Sequence, residues 1–525
     1  MLGKDERYDV LINGLGPVGA ALACLLGQQG LKVCAIDKAT KIFEAPRAIA
    51  LDNEALRILQ MAGLAEGSFE TIAIPEVNMH SPLLGRYNRI AVSGAMDGHP
   101  RLVTFFQPEL EMRLRAQIAR LLNVQVRLGC ELVSFAQESE GIRAQIRNAE
   151  GDSEEMTARY LVGADGAGST IRRLLGLDFK GETYVEDWLV VDVKNAPKPI
   201  DHIEFICDPG RPAPHMPAPG GRQRWEFKLQ PGESREQMEK PEVIRDLLKP
   251  WDPDGKSEIE RVAVYRFHAR VADTFSKGRV FLVGDAAHIT PPFVGQGLVA
   301  GLRDAANLSW KLVAVCKGWS HPALLQTYDP ERRPHAQAMI DVAKLMGKLV
   351  MPRNKALAWF AHGLVLLMRQ IPRLRRYLET AEIKPPHVFL RGALVPGRAS
   401  GTLVRGGLFP QGWIRFEKSS APAQLSDSAL RGQLTLVGFG IDPRACLPLD
   451  CIERWLAHGG QLLTIHPRGR FEVGAYEDAS GDWVGTKVPL NHLVTVRPDC
   501  AVICDAPATQ GRQLVEQSLT ALHAA

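Results

Sequence analysis

The sequence predicts a mixed α/β (α+β) fold with more than one domain, which a length of 525 residues permits. Three observations indicate this class. Short apolar runs at 10–12, 160–162 and 280–283 each end in a glycine-containing turn, as buried strands of a parallel sheet do. Between the second and third runs, residues 179–273 alternate β-type runs with proline and glycine loops. After Leu434 a smaller strand and helix pattern begins.

The first unit is a strand, a glycine turn, a helix and a second strand, and it extends from Tyr8 to Asp37. Its turn reads GLGPVG and occupies residues 14–19. The first glycine permits the tight turn, the second lets backbone approach a pyrophosphate, and the third lets helix and strand pack closely. The helix N-terminus offers unpaired N–H groups, and Asp37 is placed to accept from a ribose hydroxyl. This stretch predicts a Rossmann-like dinucleotide-binding unit.

Composition and charge exclude several classes of protein. The chain is 45% hydrophobic and 23% charged, and its net charge is +4 with basic residues spread along the chain, which argues against a nucleic-acid partner. The N-terminus does not resemble a signal peptide, and the longest apolar window, 356–368, is too short to span a bilayer. Nine cysteines, an odd number at low density, fit a reducing cytoplasm. We expect a cytoplasmic, soluble protein with neither a membrane partner nor a metal site.

The spacing of apolar residues predicts the helices and strands in the rest of the chain. Helices are expected over 51–62, from Gln107 with Pro108 in its first turn, over about 301–316, and through much of 322–380. Runs at 124–128, 131–137 and 142–147 alternate as antiparallel strands would. The basic run MRQIPRLRRYL suits a membrane surface less well than a helix packed on the body or on a second copy. The glycine-rich segment 396–412 is expected to be a linker.

Two further motifs follow the second and third buried strands: GADG at 163–166 and GDAAH at 284–288. Alone, the first predicts an Asp-Gly turn and the second a helix N-cap. In this order they resemble the class A FAD-dependent aromatic hydroxylases, together with the longer stretches GADGAGSTIRRLLG, GRVFLVGDAAHITPP and GQGLVAGLRDAANLSWKL. The resemblance covers essentially the whole chain. The stretches PRAIALDNEAL, WEFKLQPGE and YDPERRPHAQAMID bring it closest to the branch of 3-(3-hydroxyphenyl)propionate and phenol hydroxylases.

The resemblance implies a set of FAD contacts. The pyrophosphate would be held by the first glycine turn, at Gly14, Gly16, Pro17, Val18 and Gly19. The adenosine ribose would be contacted by Asp37, and Lys38 beside it is also assigned to cofactor binding. The remaining polar contacts to the cofactor would come from Arg47, Gln107, Asp165, Gly284 and Asp285. Among these, Asp285 would accept from the ribityl chain, and Asp165 belongs to a motif that serves both FAD and the nicotinamide cofactor.

A loop beneath the isoalloxazine ring completes this implied set, with Pro292, Gly295, Gly297, Leu298 and Val299. Its glycines allow backbone to approach a flat ring, and the helix that follows points its N-terminus at the pyrimidine edge, where reduction places negative charge. The family usually has Met-Asn or Tyr-Asn where this chain has Leu-Val at 298–299. Backbone N–H groups survive that change, whereas an asparagine side-chain contact does not.

The implied reaction is hydroxylation of a phenolic ring with O2. NADH or NADPH would reduce FAD as a transient electron donor, and a flavin C4a-hydroperoxide would transfer one oxygen atom. A base that makes the phenol more phenolate-like is expected, with Asp52, Tyr265 and His268 as candidates. Each has a structural alternative, because Asp52 can cap the helix after it and the other two can simply pack. His288 is expected to be structural.

A substrate carboxylate would need a cation, and the candidates are Arg211, Arg222 and Arg224. Substrates with larger phenolic or heteroaromatic rings are an alternative within the same class of enzyme. A flavin disulfide reductase is disfavoured, because no cysteine pair follows the first motif and no second GxGxxG is present. An FAD-binding protein without oxygenase activity is a further alternative, suggested by the change at 298–299.

The expected domain organisation follows from these elements. An FAD-binding domain is assigned to 1–75, 100–178 and 275–345, and a substrate-binding sheet domain to 76–99 and 179–274. Residues 346–395 form a helical segment, and 396–525 form a C-terminal domain that resembles a thioredoxin-like domain without its CxxC motif. A homodimer is expected.

Overall fold

The computed structural model describes residues 7–44, 48–380, 384–418, 420–481 and 483–523. The helices in the part of the chain up to residue 178 are α1 (Pro17–Gln28), α2 (Asn53–Met61), α3 (Gln107–Ile118) and α4 (Thr170–Leu174). The strands there are β1 (Tyr8–Asn13), β2 (Val33–Asp37), β3 (Ala50–Asp52), β4 (Thr71–Ala73), β5 (Glu76–Ser81), β6 (Gly85–Ala91), β7 (Ala95–Met96), β8 (His99–Pro100), β9 (Leu102–Phe105), β10 (Val124–Leu128), β11 (Glu131–Gln137), β12 (Ile142–Arg147) and β13 (Ser153–Gly163).

The middle of the chain has the longest strands and helices. Its strands are β14 (Phe179–Lys194), β15 (Ile203–Ile206), β16 (Ala213–Ala218), β17 (Arg222–Lys228), β18 (Glu258–Ala272), β19 (Ser276–Lys277), β20 (Val280–Leu282) and β21 (His288–Ile289). Its helices are α5 (Arg235–Met238), α6 (Pro241–Leu248), α7 (Gly297–Cys316), α8 (Tyr328–Val350), α9 (Lys355–Met368) and α10 (Pro372–Glu379). Short 3-10 turns cover Gly284–Ala286, Pro292–Val294 and Pro322–Thr327.

The C-terminal part is a smaller α/β unit. Its strands are β22 (Trp413–Phe416), β23 (Gln424–Leu425), β24 (Leu434–Phe439), β25 (Gly460–His466), β26 (Tyr476–Asp478), β27 (His492–Val496) and β28 (Val502–Pro507). Its helices are α11 (Asp427–Leu430), α12 (Pro443–Cys446), α13 (Leu449–Ala457) and α14 (Gly511–His523), with a 3-10 turn at Ala508–Gln510. The smaller strand and helix pattern expected after Leu434 is present.

Three sheets organise these elements. The first has the order β10-β2-β1-β13-β12-β11, and β20 pairs with β13 while β19 pairs with β20. The second has the order β21-β18-β14-β17-β16-β15-β5-β6 and is almost wholly antiparallel. The third, in the C-terminal part, has the order β23-β22-β26-β25-β24-β27-β28. The mixed α/β class is therefore confirmed, whereas the thioredoxin-like assignment of the C-terminal domain stays a prediction.

Two expectations about elements need correction. Residues 124–128 do not belong to an antiparallel meander, because β10 pairs in parallel with β2. The chain between these strands includes α3, and a connection that contains a helix returns its strand in the parallel direction. Helix α7 begins at Gly297 rather than about Gly301, because the preceding turn closes at Gly295, whose φ is +62°. Strands β11 and β12 are antiparallel as expected.

The described residues contain no helix that is both long and apolar enough to cross a membrane. All nine cysteines are free thiols.

A buried ionic cluster joins the C-terminal unit to the helices before it. Glu331 of α8 accepts from both terminal nitrogens of Arg497, at 2.9 and 2.8 Å, and from Lys311 Nζ of α7 at 2.8 Å. Arg497 also contacts Asp499, and Asn307 donates to both acids. Burial opposes the charge on Glu331, but Arg497 and Lys311 outweigh it and lower its pKa to about 2. Burial lowers the pKa of Lys311 to about 8.

Because Arg497 is buried against two carboxylates, we expect Arg497→Met to lower the free energy of unfolding by about 3–5 kcal/mol, the usual cost of breaking a buried pair. Equilibrium denaturation at neutral pH measures this. The control is Arg512→Met, which breaks an exposed, solvent-screened pair with Asp450 and should leave the free energy of unfolding nearly unchanged. Equal losses for the two variants would contradict a central role for the cluster.

Candidate active site

The three sequence motifs meet at one edge of the first sheet. Strands β2, β1, β13 and β20 are parallel neighbours, so their carboxyl ends lie together. Gly14 N donates to Ile36 O, Ala164 N to Asn13 O, and Val283 N to Gly163 O, each at 2.8–3.0 Å. In open α/β sheets, ligands bind at this edge, outside the carboxyl ends of the strands. The structure thus brings together stretches that are up to 270 residues apart in sequence.

The glycine turn has the geometry that its spacing predicts. Gly14 has a φ of +109°, and a Cβ there would lie 2.3 Å from Ala164 O. A Cβ on Gly19 would lie 2.0 Å from Gly14 O, so both positions exclude any side chain. At Gly16, by contrast, no atom lies within 4 Å of an added Cβ. The space above Gly16 is open, as a bound pyrophosphate would require.

Two helix N-termini face this open space side by side. A Cβ on Gly301 of α7 would lie 2.6 Å from Val18 Cγ2 of α1, so the first turn of α1 contacts α7 just after its own first turn. Neither helix has a side-chain cap or an acidic residue in its first turn in the described structure. Their N–H groups and partial positive charges therefore remain available to an anionic ligand.

The predicted acidic cofactor residues also hold the local backbone. Asp37 accepts from Leu15 N at 2.7 Å and from Ala39 N at 2.8 Å, which fixes the glycine turn. Lys38 is exposed in the turn after it. Asp165 accepts from Asn13 Nδ2, Ser169 Oγ and the N–H groups of residues 170 and 171. It therefore caps α4 and ties the first motif to the second.

Gln107 lies at the first position of α3, where its Oε1 accepts from Ala48 N at 3.1 Å. This contact draws the segment after β2 toward the sheet edge. Arg47, the neighbouring cofactor candidate, lies outside the described residues.

The third motif is built around Asp304 of α7, which sequence reasoning missed. Its Oδ2 accepts from Gly284 N at 3.0 Å and lies 2.6 Å from His288 Nε2, and its Oδ1 accepts from Arg332 Nε at 2.8 Å. Burial opposes its charge, but His288 and Arg332 outweigh burial and lower its pKa. Asp304 thus places Gly284 and Asp285 at the strand end, and His288 is fully enclosed, in agreement with the structural role expected for it.

The loop expected beneath a flavin ring leads from β21 into α7. Pro292–Val294 forms a 3-10 turn, Gly295 closes it in the left-handed region, and α7 starts at Gly297. Around Gly297 an added Cβ would have no neighbour closer than 4.0 Å, so this backbone is open to a flat ligand. Leu298 is half-buried and Val299 fully buried, so their side chains pack into the body of the protein.

One face of the second sheet turns toward this loop. Trp188 of β14, Phe267 of β18 and Phe293 of the loop contact one another, with ring centroids 5.7–6.3 Å apart. The opposite face packs on helix α6 through the alternate residues of the same strands, Leu189, Val191, Trp225 and Phe227. Alternation along a strand therefore assigns the even-numbered residues of β14 and β17 to the face toward the loop.

That face has a charged network that the sequence alone did not reveal. Asp192 accepts from Arg224 at 2.6 and 2.9 Å and from Arg261 at 3.0 Å, and Arg261 donates to Tyr265 Oη at 2.6 Å. Burial disfavours the Asp192 charge, but Arg224 and Arg261 outweigh burial and lower its pKa. Glu226 follows on the same face and is buried, and its pKa is raised by burial. A period-2 reading of WEFKLQ marks Glu226 as an inward polar residue.

The other candidates for substrate contact are distributed as follows. His268 lies near the end of β18, with its Nδ1 3.1 Å from Thr183 Oγ1. Arg211 is paired with Glu233, and Arg222 is paired with Glu260. Of the three arginines considered for a substrate carboxylate, Arg224 is the one buried on the face toward the loop.

Asp52 lies at the junction of β3 and α2. Its Oδ1 caps α2 by accepting from Ala55 N at 2.9 Å, and its Oδ2 pairs with Arg303 at 3.0 Å and with Lys384. Burial opposes its charge, but Lys384 and Arg303 outweigh burial and lower its pKa. The capping role expected as the alternative is therefore present, and its catalytic role stays a prediction.

These residues fit FAD. An open cradle over Gly16, two uncapped helix N-termini and an open glycine loop would receive, in turn, a pyrophosphate and a flat ring. Within the described residues no group of three or more histidine, cysteine or acidic side chains is arranged to hold a metal ion.

Comparison with known proteins agrees with this geometry. Residues 7–343 match the family described as FAD binding domain, and residues 406–521 match the HcaD C-terminal domain. A 3-(3-hydroxy-phenyl)propionate/3-hydroxycinnamic acid hydroxylase of Burkholderia cenocepacia is 38% identical over 88% of this chain and 84% of its own length. The enzyme of that name from Escherichia coli is 34% identical over 97% of this chain and 94% of its own length.

Solved structures share the fold. The flavin-dependent monooxygenase PieE, in complex with FAD and substrate, superposes with a TM-score of 0.83 at 22% identity, over 99% of this chain and 100% of that one. Aklavinone-11 hydroxylase with FAD and aklavinone has a TM-score of 0.74 at 21% identity, over the same shares of the two chains.

The open space at Gly16 leads to a prediction for cofactor affinity. Gly16→Ala places a methyl group where the pyrophosphate would lie, so we expect FAD affinity to fall about tenfold or more, equivalent to about 1.4 kcal/mol. Titration of the apoprotein with FAD, followed by quenching of flavin fluorescence, measures this. Gly363→Ala on α9, where an added Cβ has its nearest neighbour at 3.9 Å, is the control and should bind FAD normally. Unchanged affinity in Gly16→Ala would argue against this position for the pyrophosphate.

Proposed function

Because the chain belongs to the FAD-binding-domain family of flavoprotein aromatic hydroxylases, we propose that it hydroxylates a small phenol that has a short carboxylate side chain. Its relatives are named for 3-(3-hydroxyphenyl)propionate and 3-hydroxycinnamate, and these compounds define the substrate class that we favour.

The proposal is supported by the composition of the sheet face that is turned toward the Pro292–Val294 turn. The rings of Trp188, Phe267 and Phe293 offer a flat aromatic surface beside the loop expected to contact the flavin. On the same face, Arg224 and Arg261 both pair with Asp192, so two guanidinium groups lie together there. A phenolic ring with an anionic tail suits such a surface better than a neutral hydrocarbon does.

The chain's residues have definite tasks in such a reaction. FAD supplies the transfer of electrons from NADH or NADPH and the activation of O2. The N-termini of α1 and α7 hold negative charge on the bound cofactor through backbone N–H groups. The aromatic face orients the ring and excludes water, so the reacting groups meet in a dry environment.

The domain limits given in the sequence analysis are proposed to hold for the folded protein. They are supported by β5 and β6, which join the same sheet as β14–β18 although they lie about 90 residues earlier in the chain. The remaining contacts predicted from sequence, including those of Lys38 and Arg47, are proposed on the family resemblance alone. A cytoplasmic location is proposed as well, supported by nine thiols without a disulfide.

Substrate turnover tests the function directly. With 3-(3-hydroxyphenyl)propionate we expect rapid NADH or NADPH oxidation and a product that contains one oxygen atom from 18O2, measured by mass spectrometry. The control compound is 3-phenylpropionate, which lacks the activating hydroxyl and should give no product. Larger phenolic rings complete the panel. Hydrogen peroxide without hydroxylated product for every compound would overturn the proposal.

We also propose a homodimer in which the two copies pair through α9. Its exposed apolar residues recur at the 3-4 spacing of a helix–helix seam, with exposures of 45–65%: Leu357, Phe360, Leu364 and Leu367. Closed twofold pairing is the commonest way for a chain to cover such a stripe.

The oligomeric state tests the α9 seam. We expect the wild-type protein to have the mass of two chains, and the double variant Phe360→Ser with Leu367→Ser to have the mass of one, because a polar seam loses its apolar contact. Light scattering after size-exclusion chromatography measures both. The control is Leu122→Ser, which changes a fully exposed leucine outside α9 and should stay dimeric. A monomeric wild-type protein would contradict the seam.

A further inference from the structure

Glu226 lies in the middle of the second sheet, on the face toward the Pro292–Val294 turn. Glu226 belongs to β17 and pairs with Val190 of the neighbouring strand β14. Val190 pairs in turn with Ala263 of β18. On its other side lie Pro214 of β16 and then Phe205 of β15. The residues that lie beside Glu226 on the neighbouring strands are thus small or apolar, and Glu226 is the acidic residue among them.

The carboxyl group of Glu226 accepts no hydrogen bond from the described residues. The residue is only 9% exposed, and its two oxygens are not among the fully enclosed polar atoms that lack a partner, so they reach open space at the sheet surface. Since polar groups in largely buried positions nearly always have a partner, these open acceptors are suited to contact a bound ligand. The next acidic residue on the same face, Asp192, differs from Glu226 because it accepts three hydrogen bonds.

The charges that face Glu226 come from three strands. Arg224 and Lys228 are on its own strand, two residues to either side, Asp192 is on β14, and Arg261 and Tyr265 are on β18. Burial is the largest influence and raises its pKa, Asp192 raises it further, and Arg224 and Arg261 lower it without reversing the shift. The group therefore changes charge closer to neutrality than a solvated glutamate does.

The candidates named from sequence are less available than Glu226. Both oxygens of Asp52 are engaged, one by the cap of α2 and one by Arg303 and Lys384. The hydroxyl of Tyr265 accepts from Arg261, and the His268 ring contacts Thr183. Glu226 combines burial, an unoccupied acceptor and a position on the aromatic face.

We propose that Glu226 is the base that accepts the phenolic proton of the substrate, an inference that rests on the proposed hydroxylase function. The O–H bond of the phenol breaks and an O–H bond forms on the Glu226 carboxylate, while the electron pair remains on the phenolate oxygen. No electron is gained or lost in this step. The phenolate ring is more electron-rich, as electrophilic oxygen transfer requires. Arg224 and Arg261 stabilise the negative charge that the substrate then has.

The expected pH dependence follows from the raised pKa. The basic, ionised form of Glu226 predominates above that pKa, so kcat/KM should fall as pH decreases through it. Glu226→Gln removes the group, so we expect this acidic limb to disappear and kcat/KM to fall about 100-fold, the usual contribution of a general base.

The binding spectrum provides a second measurement that does not depend on turnover. When a phenol binds to the wild-type holoenzyme at neutral pH, we expect the ultraviolet difference spectrum of a phenolate. Glu226→Gln should bind the same ligand as the neutral phenol, without that spectrum. With a polyfluorinated phenol that is already ionised at neutral pH, the rate of Glu226→Gln should be much closer to the wild-type rate on the same substrate.

Three controls separate the outcomes. Glu258→Gln, at an exposed position at the start of β18, should behave like the wild type. Asp52→Asn retains a residue that caps helices well and should retain the phenolate spectrum. FAD binding and thermal stability show whether Glu226→Gln is folded, and Glu226→Asp should keep part of the acidic limb.

The inference is overturned if folded Glu226→Gln shows the phenolate spectrum and the acidic limb of the wild type, or if Asp52→Asn alone loses them. Both results leave the hydroxylase function intact, because the wild type would still form product. Failure of the wild type with every phenol would instead remove the proposed function, and this inference with it.

Discussion

Close packing of α1 against α7 is the contact on which the rest of the site depends. It requires glycine at 301, because a Cβ there would lie 2.6 Å from the Val18 side chain and 3.0 Å from the Gly284 backbone. With no side chain between them, the first turn of α1 packs directly on α7, and neither helix has a side-chain cap at its N-terminus. The position proposed for the pyrophosphate at Gly16 and the loop at Gly295–Gly297 are therefore held by the same pair of helices.

The two faces of the second sheet differ in composition, and one of them completes the site. One face is apolar and is covered by α6, which makes it an ordinary core. The other places aromatic rings beside the loop and a charged network farther along the strands. A buried network of this kind is costly unless each charge is compensated. The Asp192 charge is compensated by Arg224 and Arg261, whereas Glu226 accepts no hydrogen bond from the described residues and has acceptors left for a ligand.

The sequence predicted well whatever depends on local pattern, and less well whatever depends on contacts between distant residues. Each glycine turn follows an apolar strand, so the edge where residues 13–14, 163–164 and 283–284 meet could be predicted from the motif order. The parallel pairing of β10 was missed because alternation does not specify a partner strand. Asp304 and Arg497 were also missed, since their partners are 16 to 166 residues away in sequence and only folding brings them together.

Leu298 and Val299, which stand where the family usually has Met-Asn or Tyr-Asn, affect the start of α7 through packing. Val299 is wholly buried and Leu298 half-buried, so both side chains anchor the first turn of α7 to the protein body. An asparagine at this turn would add a side-chain donor, but the backbone N–H groups and the helix dipole do not depend on it. Because no acidic residue of the first turn and no side-chain cap occupies those N–H groups, they stay directed at the groove. We therefore propose that backbone N–H groups of α7, rather than an asparagine side chain, would stabilise negative charge on a bound flavin, while Leu298 and Val299 hold that backbone in place.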